Sequence, residues 1–351
     1  MSEITKVDSN FNVETKIAEK DIKFYSALNS PFKIYGVAYE NERFRRMPEE
    51  AAKNVSKSVH ELHAHTAGGR LRFKTNSSYV AINTKMPCMF KMAHFAFTGT
   101  ASFDLYSKEE EGERYIKTFV APFNSTDGYE SIIYFEDKKM REITINFPPY
   151  STVKELYVGL QADAVVEEPT PYKHEKPIVY YGSSITQGGC TSRPGNIYQN
   201  IIARRFSIDY INLGFSGSAL AEDKMAEYIA GLDMSVFVYD YDHNAPNPEY
   251  LKETHEKMFL KIREKHPSIP VIMMSRPRYF LDNDAKKRLE VIKETYNNAL
   301  EKGDKNVYLL DGPTLMALAK GEGTVDNTHP NDLGFTSIAK ALGDVLEQIL
   351  K

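Results

Sequence analysis

Tryptophan is absent from this 351-residue chain, and cysteine occurs only twice, at Cys88 and Cys190. Two cysteines in different halves of a sequence supply no disulfide framework. No apolar run is long enough to span a bilayer. The opening residues, Met1 to Asp8, are polar and lack the apolar core of a secretion signal. A formal net charge of −4 is too small to argue for nucleic acid or an anionic membrane surface as a partner. These absences lead to the expectation of a cytoplasmic protein with no nucleic-acid or membrane partner. What is present is ordinary soluble composition, 42% hydrophobic and 26% charged. With 22 tyrosines and 19 phenylalanines, any stacking surface is built from those two residues. The length favours two domains.

The texture of the chain changes once. Before about residue 170, short strand-like segments alternate with turns: Phe32–Gly36, Arg70–Thr75, Tyr79–Ile82, His94–Phe97, Ser102–Tyr106, Tyr115–Phe119, Ser131–Phe135, Glu142–Phe147 and Leu156–Leu160. Short strands at regular spacing with Gly-, Asn- and Pro-rich turns predict a β-sandwich over residues 1–170. Asn41 to Lys57 is charged and partly helical in pattern, and the run Lys108 to Glu113 reads as a solvated hairpin tip. Glu167 to Pro177, charged and with three prolines, has the composition of a linker. From 176 to 351 strands and helices alternate. The strands are Ile178–Tyr181, Tyr210–Leu213, Val236–Tyr239, Val271–Met274 and Val307–Leu310. The helices are Ile197–Phe206, Ala219–Ala230, Pro248–Lys265, Ala285–Lys302 and Thr336–Leu350. This order predicts an α/β domain with a parallel sheet covered on both faces.

Four turns of the second half carry unusual residues. Gly182-Ser183-Ser184 follows the first strand and Gly217 the second. Asp242-His243-Asn244 follows the third, and Asp326-Asn-Thr-His329 lies ahead of the last helix. In open α/β sheets such turns share the carboxyl rim, where ligands bind. Acyl transfer needs a hydroxyl nucleophile, an imidazole base, a carboxylate that sets the imidazole tautomer, and donors for the oxyanion. Ser184, His329 and Asp326 supply the first three. The backbone N–H groups of Ser184 and Gly217 and the side-chain amide of Asn244 supply the donors. Taken alone, each of these residues is an ordinary turn or cap residue.

The four turns, in this order, resemble the four blocks of the SGNH (GDSL-type) hydrolase family, over the chain from about Ile178 onward. The resemblance implies a three-layer α/β/α fold, ester hydrolysis through a Ser184–His329–Asp326 triad, and no metal or other cofactor. Ser183 stands where the Gly-Asp-Ser form has Asp. The third block, usually Gly-x-Asn-Asp, reads Asp242-His243-Asn244-Ala245, whose bulkier flanks suggest a small acyl group such as acetyl. The first half, with Ser102-Phe-Asp-Leu-Tyr106, is similar to two-domain members grouped with carbohydrate esterases, although the related motif carries Gly where Ser102 stands. The resemblance therefore implies an esterase acting on an acetylated oligosaccharide, with the sandwich binding sugar or forming a homo-oligomer interface. A general acylhydrolase or acyltransferase, and a non-catalytic glycan-binding protein, are the competing functions.

Other residues admit plainer readings. His60, His63 and His65 contain a His-x-His pair that would share one face of an extended strand, but no cysteine or acidic cluster joins them, so a surface or domain-interface position is expected rather than zinc. His243 is a candidate substrate contact or a hydrogen-bonded rim residue. Arg193 is a candidate for a sugar hydroxyl or carboxylate, or for a plain salt bridge. Cys190 is expected to be a packed, inert thiol. His255 and His266 are expected on the surface.

Overall fold

A computed structural model of the chain describes residues 13–350. The polar opening, Met1 to Asp8, lies outside the described residues. Two antiparallel sheets form the first half. One runs in the order Ile22–Ser26, Glu155–Gln161, Tyr79–Lys85, Gly128–Tyr134. The other runs Val166–Glu167, Arg70–Thr75, Arg141–Asn146, Phe103–Glu109, Gly112–Phe119, with Lys33–Tyr35 also paired to Arg70–Thr75. The two-residue period of each strand sends one set of side chains into a shared core: Leu71, Phe73, Phe103, Leu105, Ile143 and Ile145 from one sheet meet Val80, Ile82, Ile133, Val158 and Leu160 from the other.

The second half is a five-stranded parallel sheet in the order Ile208–Gly214, His174–Gly182, Val236–Asp240, Val271–Met274, Val307–Leu310. Its strands are apolar on both faces, as a sheet covered on both sides requires. Val179, Tyr181, Phe237 and Tyr239 pack under the helices Asp223–Ala230, Pro248–Lys265 and Asn283–Glu301. Ile178, Tyr180, Val236 and Val238 pack under Tyr198–Phe206 and Asp332–Ile349. The expected α/β/α layers and the β-rich first half are thus both present.

Four expectations need correction. His94–Phe97 is not a strand: a turn precedes the short helix Phe97–Thr100. The proline-rich linker is partly structured, since the first parallel strand begins at His174 and Tyr172 is buried beneath the guanidinium groups of Arg70 and Arg72. His63 closes the helix Lys57–Leu62 instead of lying on a strand. His255 is buried, stacked on Tyr239 at 4.6 Å and hydrogen-bonded to Thr295 Oγ1 at 2.8 Å; His266 is half-buried, with Nε2 at 3.0 Å from the Ala230 carbonyl.

The halves meet across a seam of buried polar contacts. Alternation along Arg70–Thr75 turns Leu71 and Phe73 into the sandwich core and Arg70 and Arg72 outward. Arg70 stacks 3.8 Å from the Tyr210 ring centroid and pairs with Asp209 at 2.5 Å. Arg46 donates to the carbonyls of Leu62, His65, Asn212 and Gly214. Burial without a carboxylate partner pulls its pKa down to about 9. Met47, Ala52 and Val59 belong to the core under Asp223–Ala230, so residues 47–59 pack with the α/β half although they precede most of the sandwich in sequence.

Candidate active site

The first parallel strand ends at Gly182, where a side chain has no room. A Cβ there would lie 1.7 Å from Asp240 Oδ1 and 2.3 Å from Thr186 Oγ1. The chain then turns into the single helical turn Ser184–Gln187. Ser183 is its N-cap, its Oγ accepting the Ile185 N–H at 3.2 Å. This is the work an aspartate would do at that position, and serine does it as well. Ser184 is thereby fixed at the first helical position, only 4% exposed, with its N–H among those a helix leaves without an internal partner.

The loop before the last helix brings the imidazole to it. Asp326 Oδ1 accepts the N–H groups of Thr328 and His329 at 3.0 and 2.7 Å, and Asn327 takes a positive φ of 63°. The remaining oxygen, Oδ2, lies 2.7 Å from His329 Nδ1. His329 Nε2 lies 2.9 Å from Ser184 Oγ. Asp326 as acceptor fixes the proton on Nδ1 and leaves Nε2 to accept from the serine. Partial burial works to raise the Asp326 carboxyl, but the backbone and ring N–H groups of His329 outweigh it and hold the group below the usual carboxylate value.

The other two turns adjoin each other. Asn244 Oδ1 accepts the Ala219 N–H at 3.2 Å, which ties the third turn to the second and leaves Nδ2 as the outward donor. Among the described residues neither Asn244 Nδ2 nor the Gly217 N–H has a protein partner. Gly217 is exposed, has φ of +67°, and nothing lies within 4 Å of where a Cβ would stand. His243 stays neutral: burial first, and Arg276 second, pull its pKa down to about 4. Its Nδ1 is buried without a partner among the described residues.

Arg193 is turned toward the sandwich. Its Nη1 lies 3.0 Å from Asp104 Oδ2 and bonds Tyr106, and its guanidinium sits 3.8 Å from the Tyr115 ring centroid. Asp104, fully buried, also accepts from Gly195 N and Asn146 Nδ2, both at 2.8 Å. Asp104 and Tyr106 of the Ser102–Tyr106 segment thus grip the loop that follows the Ser184 turn. Ser102, where the related motif has Gly, is buried and accepts the Ala121 N–H at 2.9 Å. His65 lies at the seam as well, 3.1 Å from Gln187 Nε2. Cys190 is packed, and burial pushes its thiol up to about 12, with Asp326 adding to the rise.

Residues of the sandwich that sequence reasoning missed also wall the site. Tyr150 donates to the Ser184 carbonyl at 3.1 Å. Phe95 meets the His329 ring edge-on at 5.7 Å and Tyr150 at 4.9 Å, and Phe90 completes the aromatic cluster. His94 lies 5.6 Å from the His329 ring centroid, with Nε2 3.7 Å from Asp326 Oδ2. No local signal marks these residues, because the contacts that bring them to Ser184 and His329 cross from one half of the chain to the other. A groove of about 1190 Å³ on the four-stranded sheet, between Asn83, Glu130, Tyr157 and the segment from Val13 to Ile17, shares none of them.

Both halves of the chain match known proteins. Residues 175–347 match the model of the GDSL-like lipase/acylhydrolase family. Residues 22–166 match the model of the N-terminus of SGNH-hydrolase-type esterases, named for its Gly-x-Asp-Leu-Tyr motif. A crystal structure described as a GDSL-like lipase from Bacteroides ovatus is 28% identical, with a TM-score of 0.84 over 94% of this chain and 98% of that one. The salicylyl-acyltransferase SsfX3 of a tetracycline biosynthetic pathway is 19% identical, with a TM-score of 0.76 over the same shares of 94% and 98%. The acetyl xylan esterase Est2A of the rumen bacterium Butyrivibrio proteoclasticus is 13% identical, with a TM-score of 0.60, again over 94% and 98%. No curated protein matches the chain in sequence. Among the described residues no helix is long and apolar enough to cross a membrane. With both of its halves matched in order, the chain belongs to the SGNH (GDSL-type) hydrolase family.

Proposed function

We propose that this esterase removes O-acetyl groups from carbohydrates, acting on oligosaccharides through Ser184, His329 and Asp326. The observation that carries the reading is the unbroken relay from Ser184 Oγ to His329 Nε2 at 2.9 Å and from His329 Nδ1 to Asp326 Oδ2 at 2.7 Å. In this mechanism Ser184 Oγ attacks the acetyl carbonyl as its proton passes to His329 Nε2. The tetrahedral oxyanion takes hydrogen bonds from the N–H groups of Ser184 and Gly217 and from Asn244 Nδ2. Collapse breaks the bond to the sugar oxygen, which leaves with the proton held by His329. A water then gives a proton to the same nitrogen as it attacks the acetyl-serine; collapse breaks the bond to Ser184 Oγ, which takes that proton back from His329, and acetate departs. Asp326 stays ionised throughout and stabilises the imidazolium.

A small acyl group is supported by the burial of Ser184, which is 4% exposed between Tyr150 and His329. The aromatic cluster of Phe90, Phe95 and Tyr150 favours a second reading, an acylhydrolase or acyltransferase that accepts a flat aryl acyl group against those rings. Acetate release from a panel of acetylated oligosaccharides, beside nitrophenyl esters of acetate, longer acids and benzoate, separates the two. Release from the sugars, abolished in Ser184→Ala, is the expected result. Turnover confined to the synthetic esters, with benzoate preferred, would replace the sugar assignment by the second reading.

A further inference from the structure

The three clustered histidines of the sequence, His60, His63 and His65, do not gather around a common point. His63 spends its ring nitrogens on the His60 carbonyl and Arg45, and His65 Nδ1 faces Gln187. A different group is assembled by the fold. One nitrogen each from His94 and His329 and the sulfur of Cys190 all lie within 4.8 Å of one another. His94 comes from the sandwich, Cys190 from the loop after the Ser184 turn and His329 from the loop before the last helix.

Three features suit this group to a metal. Two imidazoles and a thiol are the donors that zinc takes in tetrahedral sites. With Zn–N about 2.0–2.1 Å and Zn–S about 2.3 Å, tetrahedral donors stand roughly 3.3–3.8 Å apart, so the group closes on an ion with side-chain shifts of about 1 Å. His94 is partly exposed, and among the described residues its ring makes no hydrogen bond, with Asp326 Oδ2 3.7 Å from its Nε2. That carboxylate adds negative charge beside the site and leaves the fourth position to itself or to water.

We propose that His94, Cys190 and His329 form a binding site for a thiophilic divalent cation, Zn²⁺, and that its occupation shuts the esterase down. On binding, the Cys190 thiol releases its proton to solvent and the sulfur bonds to the metal in place of its 3.4 Å contact with the His94 carbonyl. His329 gives a ring lone pair to the ion, so the imidazole no longer serves the Ser184 hydroxyl. The effect on activity rests on the reading of His329 as the base; the binding itself does not.

The test uses the full chain, freed of metal and titrated with Zn²⁺ by calorimetry and with Co²⁺ by absorption, while hydrolysis of nitrophenyl acetate is followed. The wild type is expected to bind one ion, to show a cobalt–thiolate charge-transfer band, to lose turnover, and to regain it on chelation. Cys190→Ser and His94→Ala are expected to fold and to bind at least about tenfold more weakly, and Cys190→Ser to keep its own zinc-free rate at zinc levels that silence the wild type. Cys190→Ala repeats the test without a hydroxyl. Ser184→Ala, inactive under the proposed mechanism, is expected to bind zinc as the wild type does. No bound zinc, binding indifferent to both Cys190→Ser and His94→Ala, or full turnover with zinc bound would each overturn the proposal. If no variant hydrolyses any ester, the catalytic reading falls by itself, and a cobalt band lost in Cys190→Ser still decides the site.

Discussion

The hydroxyl of Tyr150 donates to the backbone carbonyl of Ser184 at 3.1 Å, so a residue of the β-sandwich holds the turn that carries the candidate nucleophile. The sandwich is therefore part of the site, through Phe90, His94, Phe95 and Tyr150, in addition to any sugar it binds. Tyr150→Phe removes one hydrogen bond, worth about 1 kcal/mol, while keeping the ring against Phe95. A fall of about fivefold in kcat, with KM nearly unchanged and the melting transition retained, is the expected outcome in steady-state kinetics.

The relay predicts a graded series. Ser184→Ala and His329→Ala should each lower kcat by about 10⁴- to 10⁶-fold with the fold intact. Asp326→Asn should cost less, about 10³- to 10⁴-fold, because the imidazole survives and only its orientation and tautomer are lost. Combining Ser184→Ala with His329→Ala should cost little more than either alone. Additive losses in the double variant would mean that the two residues do not act as a unit.

Asn244 offers a cleaner test of oxyanion stabilisation. Its Oδ1 is occupied by the Ala219 N–H, so Asn244→Asp can keep the anchor while replacing the Nδ2 donor by an acceptor. Both Asn244→Asp and Asn244→Ala should lower kcat by about 10²- to 10³-fold. Unaltered kcat in Asn244→Ala would remove this residue from the mechanism.

Gly182 makes a prediction about folding. Gly182→Ala would drive a methyl to 1.7 Å from Asp240 Oδ1 and 2.3 Å from Thr186 Oγ1, at the carboxyl end of the first parallel strand. Overpacking of this kind costs about 1–3 kcal/mol or more. Denaturant unfolding should show that loss together with a drop in activity, because the same atoms hold the Ser184 turn.

Acid should destabilise the protein through buried imidazoles. Burial pulls His255 and His65 from their ordinary value of 6.5 to about 3, and Arg46 deepens the shift at His65. The unfolded chain binds these protons near pH 6.5 and the folded chain near pH 3. The stability associated with neutral imidazoles is fully present above pH 6.5 and is lost as pH falls toward 3, at about 1.4 kcal/mol per pH unit for each histidine. Denaturant melts between pH 4 and 7 should show this slope, and His255→Gln should reduce it by one proton. An unchanged slope in that variant would contradict the assignment.

Much of the fold was legible in the sequence. The strands Val271–Met274 and Val307–Leu310 and the helix Pro248–Lys265 match the expected bounds to the residue, because each apolar run or amphipathic period begins directly after Pro270, Asn306 or Asn247. His255 lies inside although histidine is a polar residue: Leu251, His255, Met258, Phe259 and Ile262 share one helical stripe, which is the buried face. His94–Phe97 was misread because its alternation imitates a strand where the chain turns into a short helix. The candidate triad was readable because each member sits on a turn whose place follows from the order of strands. Tyr150, Phe95 and His94 were not, since the contacts that matter for them cross from one half of the chain to the other.

Covalent trapping asks of the molecule itself whether Ser184 is the nucleophile. The full chain is treated with a fluorophosphonate that mimics the tetrahedral intermediate, and the adduct is located by peptide mass spectrometry. One phosphonyl group per chain on Ser184, complete loss of ester hydrolysis in step with labelling, and no label in Ser184→Ala or His329→Ala are the expected results. Full labelling with undiminished hydrolysis, or an adduct on another residue that tracks the loss of activity, would contradict it.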